Sequence, residues 1–224
     1  MSHTKYMTII RKLYKLDDRA QGYSEQELLL AEQRLAVSLP EVLRDYYLSL
    51  GKNAIVNENH NRLLSPRDLY ITPSGYLVFY EENQAVAVWG IARDHLQEAN
   101  PAVYGSYDTD REEWWADSDS LEHFLLSMAY WNAALGGLKH MAMAEQPPDD
   151  ITATIERHWI EHKGITNQYL HFFTSDHSDI LALTTDSEGK VNGLYVASAD
   201  PLKYEQIVDR LPVSWDYRSD RDQY

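Results

Sequence analysis

Val86–Leu135 reads VAVWGIARDHLQEANPAVYGSYDTDREEWWADSDSLEHFLLSMAYWNAAL, and the rest of the chain is organised around it. Val86-Ala87-Val88-Trp89-Gly90-Ile91 is a short apolar run rich in β-branched and aromatic residues, which predicts a strand. Tyr76-Leu77-Val78-Phe79-Tyr80 predicts a second, and Glu81-Glu82-Asn83-Gln84 is the polar break that lets the two pair as a hairpin. At the far end Leu121, Phe124, Leu125, Met128, Trp131 and Leu135 recur at three- and four-residue steps, one apolar face of a helix that Gly136-Gly137 stops. Asp119 with Glu122 has the spacing of a capping box at its start. This helix is expected to cover the sheet.

Outward from that centre, residues 4–16 suit a short amphipathic helix with a basic outer face, read as solvated and not as a membrane anchor. Ser24 and Glu27 form a capping box for a second helix with the stripe Leu28, Ala31 and Leu35. Pro40 opens a third, packed through Val42, Leu43, Tyr46, Tyr47 and Leu50 and closed by Gly51. Leu64–Leu69 offers a capped turn. Beyond the central helix, Met141–Asp150 with Pro147-Pro148 is linker-like, so a single domain over 1–224 would be subdivided, if at all, near 141–150. Ile151, Ile155 and Trp159 predict a helix running to Gly164. Tyr169–Phe173, Asp179–Thr185 and Val191–Ala197 predict strands, Leu202–Leu211 a helix, and Ser214–Tyr224 a frayed end. Strands bracketed by helices without regular alternation give an α+β fold, its sheet mixed or mainly antiparallel, with helices packed around it.

The 224 residues are 44% hydrophobic and 12% aromatic, enough to bury a core, and no apolar run reaches the length that spans a bilayer. With no basic-then-apolar start and no cysteine, the expectation is a cytoplasmic protein without disulfides, thiol nucleophiles or cysteine-ligated zinc. The net charge of −15 is unevenly distributed: residues 1–93 balance, whereas 94–122 hold nine acidic side chains against Arg111 alone. Such a surface repels a phosphate backbone, which excludes direct nucleic-acid binding and favours a basic protein partner.

His158-Trp159-Ile160-Glu161-His162 matches H-x-x-E-H, which on a helix would put two histidines one turn apart beside a glutamate base, as in zinc hydrolases. Nine histidines in an acidic chain produce that pattern by chance, and no third ligand can be assigned, so the expectation is no metal and no cofactor. Asp108-Thr109-Asp110 with Glu112-Glu113 lacks the glycine and spaced glutamate of a calcium loop. No G-x-S-x-G elbow occurs, and no catalytic residue is assigned. The sharpest candidate is instead the acidic aromatic segment: Tyr104, Tyr107, Asp108, Asp110, Glu112, Glu113, Trp114, Trp115, Asp117 and Asp119, predicted as a partner-binding surface. Carboxylates match a basic partner's field and steer its approach, and tryptophan and tyrosine supply desolvated anchors.

Glu25–Leu50, with Leu28, Ala31, Glu32 and Leu35 followed by Leu39-Pro40-Glu41 and a helix ending at Gly51, resembles the opening motif of the SUKH superfamily, which includes a yeast cell-wall-synthesis regulator and bacterial immunity proteins. Phe79–Gln84, Val88–Ile91, Pro101–Tyr104, Trp114 and Ser120–Trp131 are similar to the later core of bacterial members, so the resemblance covers 24–135. Leu50-Gly51-Lys52-Asn53 departs from the asparagine-glycine pair that members commonly carry there. The resemblance implies an α+β fold without catalysis that binds and neutralises a cognate toxin, often a nucleic-acid-directed enzyme, by occluding its active site. The rival expectations are an intracellular regulatory or scaffold module of the same fold and a zinc-dependent hydrolase using His158, Glu161 and His162.

Overall fold

Ser24 accepts the Glu27 amide while the Glu27 carboxylate takes the Ser24 amide at 2.7 Å, and this box starts the second helix of the chain. The structure, a computed structural model, describes residues 3–108 and 113–221. In chain order its helices are α1 (His3–Leu13), α2 (Glu25–Leu35), α3 (Glu41–Leu50), α4 (Ala54–Asn57), α5 (Leu121–Asn132), α6 (Ile151–Glu156) and α7 (Pro201–Arg210). The strands are β1 (Asn61–Leu63), β2 (Tyr70–Ile71), β3 (Tyr76–Glu82), β4 (Val88–Ala92), β5 (Val103–Asp108), β6 (Glu113–Ser118), β7 (His140–Glu145), β8 (Ile160–Glu161), β9 (Leu170–Thr174), β10 (Asp179–Thr185), β11 (Val191–Ser198) and β12 (Tyr217–Arg218). All pairings among them are antiparallel, and the fold is α+β.

The residues group into two compact units: the chain up to Met7 with Asp18–Met128, and Thr8–Asp17 with Ala129 onward. The division falls inside α1 and α5, and not at residues 141–150. That stretch is no linker at its start, because His140–Glu145 pairs with Gly193–Ser198 along its whole length.

The first unit holds a sheet in the order β1-β3-β4-β5-β6, with β2 also on β3. The expected hairpin is present, and Tyr76↔Ala92 and Leu77↔Ile91 set its register. Between Val78 and Tyr80 the ladder shifts by one residue. This bulge turns Phe79 and Tyr80 both against Phe124 of α5, their ring centroids 5.4 and 5.5 Å away, which explains why β3 is buried without alternation. Trp89 completes the group at 5.9 Å from Phe124. Glu32 joins α2 to α3: one oxygen accepts the Leu39 amide at 2.9 Å and the other accepts Arg44 at 2.9 Å. Buried Tyr46 and Tyr47 donate to Asn57 and to the Leu64 carbonyl, both at 2.7 Å.

Two expectations for the central helix change. Ser120, not Asp119, caps it, its hydroxyl taking the His123 amide at 3.3 Å. The helix is also buried on more than one face, since Leu126, Ala129 and Tyr130 are as buried as Leu121, Phe124 and Leu125. A three-to-four-residue stripe underestimates a helix surrounded by protein. It ends through a wider turn at Ala133–Gly137, where Gly136 takes φ +105°.

The second unit holds the sheet β12-β7-β11-β10-β9-β8. Ile151, Ile155, Trp159, Tyr204, Ile207 and Val208 pack with Phe173, Leu181, Leu183, Leu194 and Val196. Tyr130 and Trp131 meet Phe172 and Tyr195 edge-on, so β10 is buried through Asp179–Leu183 without alternation. Asp186 closes the β10–β11 turn by accepting the Glu188 and Lys190 amides at 2.9 Å. Within the end expected to fray, Tyr217 and Arg218 pair with Met143 and Ala142 and the Tyr204 hydroxyl donates to Asp220 at 2.8 Å, while residues 222–224 lie outside the described residues.

Candidate functional site

The acidic aromatic segment folds as a hairpin. Val103–Asp108 and Glu113–Ser118 are strands β5 and β6, and β6 is the terminal strand of its sheet among the described residues. The sequence reading missed both, because charge and glycine lower strand propensity while the pairing partners lie elsewhere. Tyr104, Ser106 and Asp108 alternating with Gly105 and Tyr107 was the signal available.

Successive strand residues point to opposite faces, so Trp114 and Trp115 separate. Trp114 lies over Tyr76, ring centroids 4.0 Å apart and planes within 11°, and its indole N–H donates to Ser74 Oγ at 3.1 Å. Tyr104 meets Tyr76 edge-on at 5.6 Å. These three rings are half-buried.

Trp115 lies across Gly105, whose missing side chain makes the space: a Cβ there would stand 2.3 Å from Trp115 Cζ2. Tyr107, 74% exposed, leans on the same indole with centroids 4.5 Å apart. Asp117 is the inward carboxylate of this face. It accepts the Trp89 indole N–H at 3.0 Å and is also hydrogen-bonded by the Trp115 side chain, while its burial pushes its pKa above the ordinary carboxylate value. Asp117 is thus committed to holding β6 against β4. Glu113 is exposed opposite half-buried Asp108, and Asp119 is exposed at the junction with α5. Asp110 and Glu112 lie outside the described residues.

The ten residues predicted as one surface therefore sort by role. Trp114 and Tyr104 belong to an aromatic stack on one face, and Trp115 and Asp117 anchor the other. Tyr107, Glu113 and Asp119 remain exposed. The wider acidic tract is not a uniform solvated face either, since Glu122 is only 2% exposed.

His158–His162 does not lie on one helix. The helix predicted to Gly164 is only Ile151–Glu156, and Ile160–Glu161 is a strand paired with Phe173 and Thr174. The one-turn spacing that the H-x-x-E-H reading requires is absent. Glu161 instead lies 3.0 Å from His171 Nδ1, and the ring of His162 stands 5.8 Å from that of His177. Among the described residues no group of three or more His, Cys, Asp or Glu side chains is arranged to hold a metal, and no helix is long and apolar enough to cross a membrane.

The fold and the hairpin define an α+β protein whose acidic sheet edge carries exposed aromatic and carboxylate side chains. No family model, no curated protein and no solved structure matches the chain.

Proposed function

We propose that this is a non-enzymatic immunity protein that binds a cognate basic toxin acting on nucleic acid and occludes its active site. The observation that carries the reading is Tyr107, 74% exposed and braced by Trp115, on an edge hairpin beside Glu113 and Asp108. An exposed aromatic on a rigid support loses little conformational freedom on binding, and the carboxylates around it attract a lysine- and arginine-lined surface. The half-buried anchors Trp114, Trp115 and Asp117 keep that display fixed. The motifs over residues 24–135 that resemble the SUKH superfamily support immunity as its biological setting. The partner docks on the β5–β6 edge in the cytoplasm and blocks substrate by occupying its binding cleft.

The test is capture from lysate of the native strain at low salt, using wild type, Tyr107→Ala and Glu113→Gln. Recovery of a basic toxin domain by wild type, reduced in both variants and lost at high salt, supports the reading. Recovery of housekeeping proteins alone replaces it with the regulatory scaffold, and equal recovery by the variants removes the hairpin as the contact.

A further inference from the structure

A cleft of about 490 Å³ opens between α2 and the turn at Ser65–Arg67, lined by Tyr23, Leu30, Ala31, Arg34, Pro66 and Arg67 together with Glu27 and Ser65. Its size falls within the range of small-molecule sites. Leu30, 55% exposed, gives it apolar surface over the buried Ala31 and Pro66, and its neighbour Leu29 is also exposed on α2.

The polar groups around this surface are two guanidinium groups, neutral donors and one carboxylate paired to a lysine. Arg34 donates through Nη2 alone, to the Pro66 and Leu69 carbonyls at 3.2 and 2.8 Å. Those bonds fix its position and leave Nη1 and Nε with hydrogen-bonding capacity. Arg67 lies 3.9 Å from Asp68, with its side chain 89% exposed. Tyr23 is held by Lys52 over its ring at 4.7 Å and by the edge contact with Tyr47 at 5.8 Å. Burial, followed by the charges of Glu58, Glu27 and Asp68, raises its phenol, which stays a neutral donor near pH 7. The one carboxylate on the wall, Glu27, is paired with Lys52 at 3.0 and 3.1 Å and accepts the Ser24 amide.

We infer that this cleft is a binding site for a small organic anion with a flat apolar body and one carboxylate or phosphate group, the body lying against the exposed Leu30 above Ala31 and Pro66 and the anion meeting Arg67 and Arg34. Residues 1–93 balance in charge while the remainder of the chain is acidic, so two guanidinium groups on one cleft favour an anion there. The site is separate from the β5–β6 hairpin in sequence and in charge, and it does not rest on the immunity reading.

The probe is 2-naphthoate, titrated into the whole chain while the Ala31 methyl and Tyr23 ring signals are followed by NMR, with neutral 2-naphthamide as its uncharged counterpart. Arg67→Gln and Leu30→Ser are exposed substitutions that leave the Arg34 bonds in place. Saturable shifts at Ala31 and Tyr23, weakened about tenfold by Arg67→Gln, by Leu30→Ser and by the amide, are expected. No saturable shift in wild type overturns the site. Equal binding of the amide, or of naphthoate to Arg67→Gln, overturns its anionic specificity.

Discussion

The Trp89 indole N–H reaches Asp117 Oδ2 at 3.0 Å, joining the strand at the centre of the first sheet to its terminal strand across β5. Trp89 is buried, so its donor has no water to turn to if the carboxylate is removed. Asp117→Ala should cost about 1–3 kcal/mol in thermal or denaturant unfolding, and Asp117→Asn, which keeps an acceptor, should cost less. If both lose the same amount, the bond contributes nothing.

That carboxyl also gives a pH dependence of definite sign. Its folded pKa lies above the ordinary value of 3.8, chiefly through burial, against the opposing bonds from Trp89 and Trp115. The folded state then holds this proton more tightly than the unfolded chain, so stability declines as pH rises from about 3.8 through the raised value. Asp117→Asn should remove this part of the stability-versus-pH curve.

Glu27 acts in the opposite sense. The Ser24 amide, then Lys52 and the Ser24 hydroxyl, hold its pKa down to about 2 from an ordinary 4.5. Its contribution is complete above about 4.5 and fades as pH falls toward about 2. NMR titration of the Glu27 carboxyl should give a midpoint near 2 that rises only partly in Ser24→Ala, which removes the hydroxyl but keeps the backbone amide and Lys52. The same substitution should destabilise the protein by about 1 kcal/mol through loss of the cap.

Ala36 ends α2 in the left-handed region at φ 54°, with its side chain exposed. Glycine takes that conformation without the Cβ penalty, and nothing packs on the methyl that would offset the gain. Ala36→Gly should stabilise the chain by about 1 kcal/mol, read as a rise in Tm.

In the second unit, Asp179 is 2% exposed and accepts Trp159 Nε1, the Thr174 hydroxyl and the Ser175 amide at 2.9, 2.9 and 2.8 Å. Asp179→Ala strands all three donors and should cost more than Trp159→Phe, which removes one and keeps the ring. A cost of about 3 kcal/mol or more is expected for the first and about 1–2 kcal/mol for the second, by chemical denaturation.

What could be read from the chain follows how local each feature's cause is. The Ser24–Glu27 cap, the 76–91 hairpin and the Asp186–Lys190 turn are set by residues a few positions apart, and each appears where the sequence places it. Features that depend on distant partners were not legible. His140–Glu145 is a strand because β11 and β12 flank it, and the neighbouring Pro147-Pro148 disguised that as a linker. Ile160–Glu161 leaves the helical path because its backbone pairs with β9. At the candidate site, the acidic and aromatic composition was visible, but its division over two faces waited on knowing that residues 103–118 form paired strands. The inward turn of Asp117 depends on an indole donor 28 residues away.

Gly105 and Trp115 also constrain how this sequence can drift. The indole occupies the volume in which a side chain at 105 would begin, so even alanine there must push the ring off the sheet. With it would go the brace under Tyr107 and the second donor to Asp117. The two positions therefore form one heritable unit: a larger residue at 105 is admissible only alongside a smaller one at 115. Among descendants of this chain, a larger residue at 105 should appear together with a smaller one at 115.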